Sequence, residues 1–129
     1  MRGVADTSWL YAFFVASDIH HSKAVQQSTK VETVHVPPAI VVETLDLIRL
    51  RNRLGRSKAE NALSQMENDP HFRLADPPHD HAAAAQIYRA AKGLSYADAA
   101  AVAAARRLGL DLLTFDEGQQ AAVATQSKS

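Results

Sequence analysis

Short apolar runs of strand length alternate with longer segments of helical period along this chain. Gly3-Val4-Ala5-Asp6 reads as a short buried strand, followed by a helix from Thr7 to about Ser17 that is apolar almost all round. A more polar helix is expected over about 21–29, then a strand from Val31 to Val36, where β-branched residues alternate. Pro37-Pro38 ends that strand and opens a helix, because proline is tolerated in a first helical turn. The helix is expected to run to about Leu54 with Gly55 as its C-cap, and a partner helix from about Ser57 to Glu67 completes a helical hairpin.

A short strand is expected over Phe72 to Ala75, then a helix from about His81 to Lys92 stopped by Gly93. An alanine-rich helix from Tyr96 to Leu108, stopped by Gly109, leads into a last buried strand over Leu110 to Thr114. Strands separated by helices predict an α/β domain with a parallel sheet, in which ligands bind beyond the carboxyl ends of the strands. One domain over 1–124 is expected, followed by a short polar tail over 125–129 that frays.

Composition narrows the function classes. Fourteen basic residues balance fourteen acidic ones, so any contact with nucleic acid has to come from a local patch. The chain has no cysteine, which excludes disulfides, thiolate metal sites and cysteine nucleophiles. Its most apolar run, Trp9 to Ala16, is about half a bilayer span and follows no signal-peptide pattern, so a cytoplasmic protein without a membrane span is expected.

Candidate chemistry lies in carboxylates placed where bare charge is costly. Ile40, Glu43, Leu47, Leu50 and Leu54 share one helical stripe, so Glu43 interrupts an apolar face, beyond the first turn where the helix dipole would favour it. Asp98 closes Ser95-Tyr96-Ala97-Asp98, which fits a capping box equally well. It also shares a face with Ala101, Val102 and Ala105, small residues suited to close packing on a sheet. Asp6 and Asp116 follow strands and, taken singly, each fits an N-cap. Four carboxylates converging at the strand ends would repel each other, and the usual resolution is Mg²⁺ or Mn²⁺ with oxygen ligands, which points to phosphoryl chemistry.

Four segments together, in order and spacing over nearly the whole chain, resemble a PIN-domain protein of the VapC toxin type. They are Val4-Ala5-Asp6-Thr7-Ser8, Pro38-Ala39-Ile40-Val41-Val42-Glu43, Leu94-Ser95-Tyr96-Ala97-Asp98-Ala99-Ala100 and Leu112-Leu113-Thr114-Phe115-Asp116. The resemblance implies a three-layer α/β/α fold and Mg²⁺- or Mn²⁺-dependent cleavage of RNA by a metal-activated water. It matches Asp6, Glu43 and Asp98 to the principal metal-site acids, Asp116 to the fourth, and Thr7 and Thr114 to supporting hydroxyls. It also implies a homodimer and a cognate antitoxin whose C-terminal segment lies along the groove near the acids.

Other features bear on substrate and partners. The run from Arg49 to Lys58 holds five basic residues and no acid, so Arg49, Arg51 and Arg53 are candidate RNA-phosphate contacts or, equally, a solvated face anchored by Leu50 and Leu54. His79-Asp80-His81 has a metal-like spacing but reads as a helix start. Trp9, Tyr11, Phe13 and Phe14 present more apolar area than one sheet face hides, which suggests an oligomer or antitoxin interface. Two alternatives remain: a receiver-type Mg²⁺-binding signalling domain, disfavoured by the single early acid and the lack of a lysine close after Asp116, and a catalytically silent PIN binding module.

Overall fold

In the computed structural model, residues 2–74 and 80–116 are described. Strand β1 (Arg2–Ala5) is followed by helices α1 (Thr7–Phe14) and α2 (His21–Ser28), and strand β2 (Thr33–Val36) by α3 (Pro38–Arg51) and α4 (Gly55–Asn68). Strand β3 (Phe72–Leu74) is followed by α5 (His81–Ala90) and α6 (Tyr96–Leu108), and β4 (Asp111–Leu113) comes last. Each crossover between strands is thus a pair of helices, and every strand pairing is parallel, as connections of that length allow.

The sheet order is β3-β2-β1-β4. The chain builds outward from β1 through β2 to β3, then crosses back to place β4 on the other side of β1. The order therefore reverses between β1 and β4, and the crevice beyond their carboxyl ends is where a sheet of this kind takes its ligand. Val4 and Ala5 point to opposite faces of β1, yet both are fully buried, so helices cover both faces at the sheet's centre.

The main core gathers Val4, Val34, Val36, Trp9, Leu10, Ile40 and Met66 with Ala97, Ala101 and Ala105 of α6. A satellite core of Ala84, Ile87, Leu94, Ala99, Val102 and Ala103 fastens α5 to α6. The alanines of α6 let its axis lie close to both the sheet and α5, so its N-terminus is held firmly beside the strand ends.

Several expectations are corrected. Helix α1 ends at Phe14 rather than Ser17: Val15 turns extended, its N–H bonding Tyr11, and Asp18 then folds a turn by accepting from His20 N–H at 2.8 Å. Much of the aromatic surface of α1 is turned inward, with Tyr11, Phe13 and Phe14 half-buried. Trp9 is fully buried with its indole N–H donated to Gln27, and Phe13 and Phe14 pack on Phe72. On α3 the buried line is Ile40, Thr44 and Ile48, while Leu50 and Leu54 are 67% and 73% exposed and anchor nothing. Gly55 is no C-cap: α3 ends at Arg51 with Asn52 as its C-cap, Leu54 takes the left-handed conformation (φ 56°), and Gly55 begins α4. Helix α5 ends at Ala90, two residues short of the expected Lys92. His79 and the tail over 125–129 lie outside the described residues, and Asp80 caps α5 as a helix start requires.

Candidate active site

Asp6 is the first residue after β1 and is fully buried. Its Oδ1 caps α1, accepting from Trp9 N–H at 3.0 Å and from the Ser8 hydroxyl at 2.8 Å. Its Oδ2 is also buried but has no hydrogen-bond partner among the described residues. A cap explains one oxygen and leaves the other unexplained. Burial pushes the Asp6 carboxyl up to about 6, against the hydroxyl of Thr114, the Trp9 amide and Ser8, which favour the ionised form; the charge of Asp98 adds to the rise. The Thr7 hydroxyl beside it is likewise buried and unpaired.

Ser8 connects the two strand ends. Besides donating to Asp6, its Oγ lies 3.3 Å from Thr114 Oγ1 and accepts from Phe115 N–H at 3.0 Å. Thr114 Oγ1 accepts in turn from Asp116 N–H at 2.9 Å. The segments after β1 and β4 are therefore held together by two hydroxyls. Sequence reasoning placed Ser8 in its motif without giving it a role; its signal was the spacing, a hydroxyl two residues after a capping Asp.

Asp98 turns out to be both of the things its sequence allowed. The capping box forms, with Asp98 N–H on Ser95 Oγ at 3.0 Å and Ser95 N–H on Asp98 Oδ2 at a long 3.4 Å, and the half-buried carboxylate also faces the cavity at the strand ends. Glu43 reaches the same cavity from α3, at the edge of the buried line rather than within it. Asp116 reaches it from an exposed position after β4.

The cavity measures about 370 Å³ and is lined by Asp6, Glu43, Asp98 and Asp116 together, with Thr7, Ser8 and Arg51 among its other walls. Thr114 stands behind it on the Ser8 bridge. Of the basic run only Arg51 lines the cavity; Arg49 and Arg53 are exposed on the α3 end and the joint beyond it. Tyr11, Asp18, His20, Leu47 and Phe115 also line the cavity without having been assigned to it from the sequence; Asp18 and His20 lie in the turn between the first two expected helices. Five carboxylates against one arginine make the cavity anionic, and that is the setting for a hard cation.

Among the described residues no group of three or more His, Asp or Glu is drawn close enough to enclose a metal ion. The donor set still suits Mg²⁺ or Mn²⁺ better than a caged ion. Mg²⁺ keeps several waters and takes only one or two carboxylates, and the unpaired buried Asp6 Oδ2 is the oxygen that such a cation would satisfy.

Residues 4–125 match the sequence model of the PIN domain. No curated protein sequence matches the chain. Among solved structures, that of VapC20 from Mycobacterium tuberculosis, described as a sarcin-ricin loop cleaving toxin, superposes with a TM-score of 0.77 at 22% identity, covering 93% of this chain and 94% of that one. PAE2754 from Pyrobaculum aerophilum superposes with a TM-score of 0.58, also at 22% identity, over 98% and 92% of the two chains.

Proposed function

This chain belongs to the PIN-domain family, and from that premise we propose that it is a Mg²⁺- or Mn²⁺-dependent endoribonuclease, the VapC-like toxin of a toxin–antitoxin pair. The observation that carries the reading is the buried, unpaired Oδ2 of Asp6 at the β1–β4 switch point, in one cavity with Glu43, Asp98 and Asp116. A carboxylate is retained in such a place when something else offsets the cost of its charge.

The roles follow from position. Asp6 and Asp98 would hold the cation directly, Asp6 through the free oxygen and Asp98 from the first turn of α6. Glu43, half-buried on α3, would ligate it directly or through a water and could help as a base. Asp116, exposed at the mouth, completes the site. Ser8 and Thr114 fix Asp6 relative to Asp116, and Thr7 supplies a further buried hydroxyl. A bound divalent ion supplies an acidified water and neutralises charge on the phosphate. Arg51 lies in the same wall and binds an entering phosphate, with Arg49 and Arg53 along the path outside.

Two partners belong to this reading. A homodimer is supported by a partly apolar depression between α3 and α6, lined by Ala39, Val42, Leu47, Tyr96 and Ala97 together with the acids Glu43 and Asp46; Val42 is 62% exposed there, and Tyr88, 49% exposed, meets the Tyr96 ring at 6.2 Å. A cognate antitoxin is supported by the fold shared with a toxin, and its segment would lie along the groove that reaches the acids. No helix among the described residues is long and apolar enough to cross a membrane.

Purified protein incubated with labelled RNA, in EDTA and in millimolar Mn²⁺, tests the reading. Cleavage is expected only with metal and is expected to vanish in Asp6→Asn, Glu43→Gln and Asp98→Asn, each of which removes charge while nearly keeping shape. Asp116→Asn should lose less, since an amide oxygen still coordinates. Metal-independent cleavage, or full activity in all three, would remove these acids from the chemistry. A protein that binds RNA but never cuts it would be the silent module instead.

A further inference from the structure

The mechanism leaves one part of the cavity wall unused. His20 and Phe115 both line the cavity, and their rings stack with centroids 4.5 Å apart and planes within 12°. They come from opposite sides of the sheet crossover, one from the turn between α1 and α2, the other from the segment after β4. Phe115 only borders the main core, His20 lies outside it, and both are half-buried. Two flat rings kept parallel at the wall of a polar cavity form a surface of the kind on which unpaired bases stack.

Both rings are also firmly placed. His20 N–H is held by Asp18 Oδ1, His20 C=O accepts the first bond of α2 from Ala24, and the neighbouring His21 ring is bonded to Ala12 C=O at 2.7 Å. Phe115 N–H bonds Ser8 Oγ, the same oxygen that donates to Asp6. One hydroxyl therefore sets the spacing between the ring pair and the buried carboxylate.

We propose that the His20–Phe115 stack is a nucleobase platform that docks the base of a nucleotide flanking the phosphate to be cut, and so sets which phosphate faces the acids. The inference rests on the nuclease reading and adds to it a specificity-determining pair. Stacking accepts any base, so the platform supplies register and affinity, and selectivity only by stacking strength. Single-stranded or looped RNA is the substrate class it fits, because a paired base has no free face.

The test uses a set of RNA oligonucleotides that share one mapped cleavage site, with the flanking bases replaced one at a time by abasic residues. His20→Ala should raise KM by roughly 5- to 100-fold, the range that losing one base–aromatic stack gives, while kcat stays within about threefold. His20→Phe should restore KM, since it keeps the ring and loses only the titratable nitrogens. On wild type, one abasic position should raise KM to a similar extent, and on that RNA His20→Ala should add nothing. Phe115→Leu, which keeps apolar volume, should follow the same pattern, and melting temperatures show whether each variant is folded. An unchanged KM overturns the platform. So does a kcat loss that His20→Phe fails to rescue, which would make His20 a proton carrier, or an equal penalty on every abasic RNA. If wild type cuts no RNA with Mn²⁺ present, the nuclease reading falls and the platform with it; wild-type cleavage with His20→Ala unaffected removes the platform alone.

Discussion

Asp6 serves as helix cap, as neighbour of two hydroxyls and as a buried charge, and the last of these costs stability. Its carboxyl holds a proton up to about pH 6 in the folded state, against 3.8 for the ordinary group, so the folded form binds more protons between those values. Stability of the metal-free protein therefore falls as pH rises through that window, and the loss is complete above it. The gap corresponds to roughly 3 kcal/mol at about 1.36 kcal/mol per pH unit. Asn caps helices as well as Asp does, so Asp6→Asn keeps the cap and removes the charge. In EDTA at about pH 7.5 this variant should melt higher than wild type by on the order of 10 °C, and the difference should close near pH 4. Millimolar Mn²⁺ should raise the wild-type melting temperature and leave the variant's nearly unmoved, because stabilisation follows affinity for the folded state. Equal melting of both proteins at every pH would show that the second oxygen is satisfied after all. Asp98→Asn should move the metal-free protein less, since the charge of Asp98 is the smallest of the influences on Asp6 and the substitution also disturbs a capping box.

At the scale of elements, the joint between α3 and α4 is the informative one. A Cβ on Gly55 would lie 2.2 Å from the Arg49 carbonyl oxygen and 2.7 Å from its carbon, both backbone atoms that cannot swing aside. The helices can approach only because residue 55 has no side chain, and the left-handed step falls on Leu54 instead. Gly55→Ala should cost roughly 2–3 kcal/mol or more, as overpacking against fixed atoms does. Leu54→Asn should gain up to about 1 kcal/mol, because Asn tolerates the left-handed region and the leucine side chain is 73% exposed. Chemical denaturation of both variants checks the signs. A harmless Gly55→Ala would mean that the helix pair can slide, and Arg51, at the end of α3 beside the cavity, would then lack the fixed position assigned to it.

At the scale of the molecule, a chain with no net charge needs a local basic patch to attract RNA, and on the proposed reading that patch is the run from Arg49 to Arg53, of which Arg51 lines the cavity. Replacing Arg49, Arg51 and Arg53 together by Ala should weaken RNA binding and flatten its salt dependence. Every phosphate of a single strand that the protein ceases to neutralise lowers the log–log slope by about 0.7, and Arg51→Ala alone should account for one such step. An unchanged slope returns the run to a solvated surface. The apolar face around Val42 makes a separate prediction: Val42→Asp should convert a dimer to a monomer in sedimentation without altering the far-ultraviolet spectrum. A wild-type protein that sediments as a monomer would remove the dimer from the reading.

How much of this was legible in the chain depends on how local the cause is. Helix and strand order, the Ser95 capping box, the Gly109 stop and the acids after β1 and β4 are set by neighbours within a few residues, and all were readable from the pattern. The order β3-β2-β1-β4 was not, because pairing joins residues far apart; that Asp6 and Asp116 look into one region beyond the strand ends was expected, and the order supplies the reason by making β1 and β4 neighbours at the reversal. Glu43 was found for a partly mistaken reason. The stripe through Leu50 and Leu54 faces solvent, because α4 covers Ile48 instead and the end of α3 projects past it. Part of the aromatic surface on α1 found its partner in Phe72, a distant residue that packs on Phe13 and Phe14. Asp18, His20 and the Ser8 bridge also waited for the fold, since a turn's side chains acquire meaning only from what the opposite strand end brings beside them. The sequence by itself determined which elements form and which acids are expensive to bury. Tertiary structure alone decided which of them share a cavity, because burial and electrostatics act through space, over distances that chain spacing does not encode.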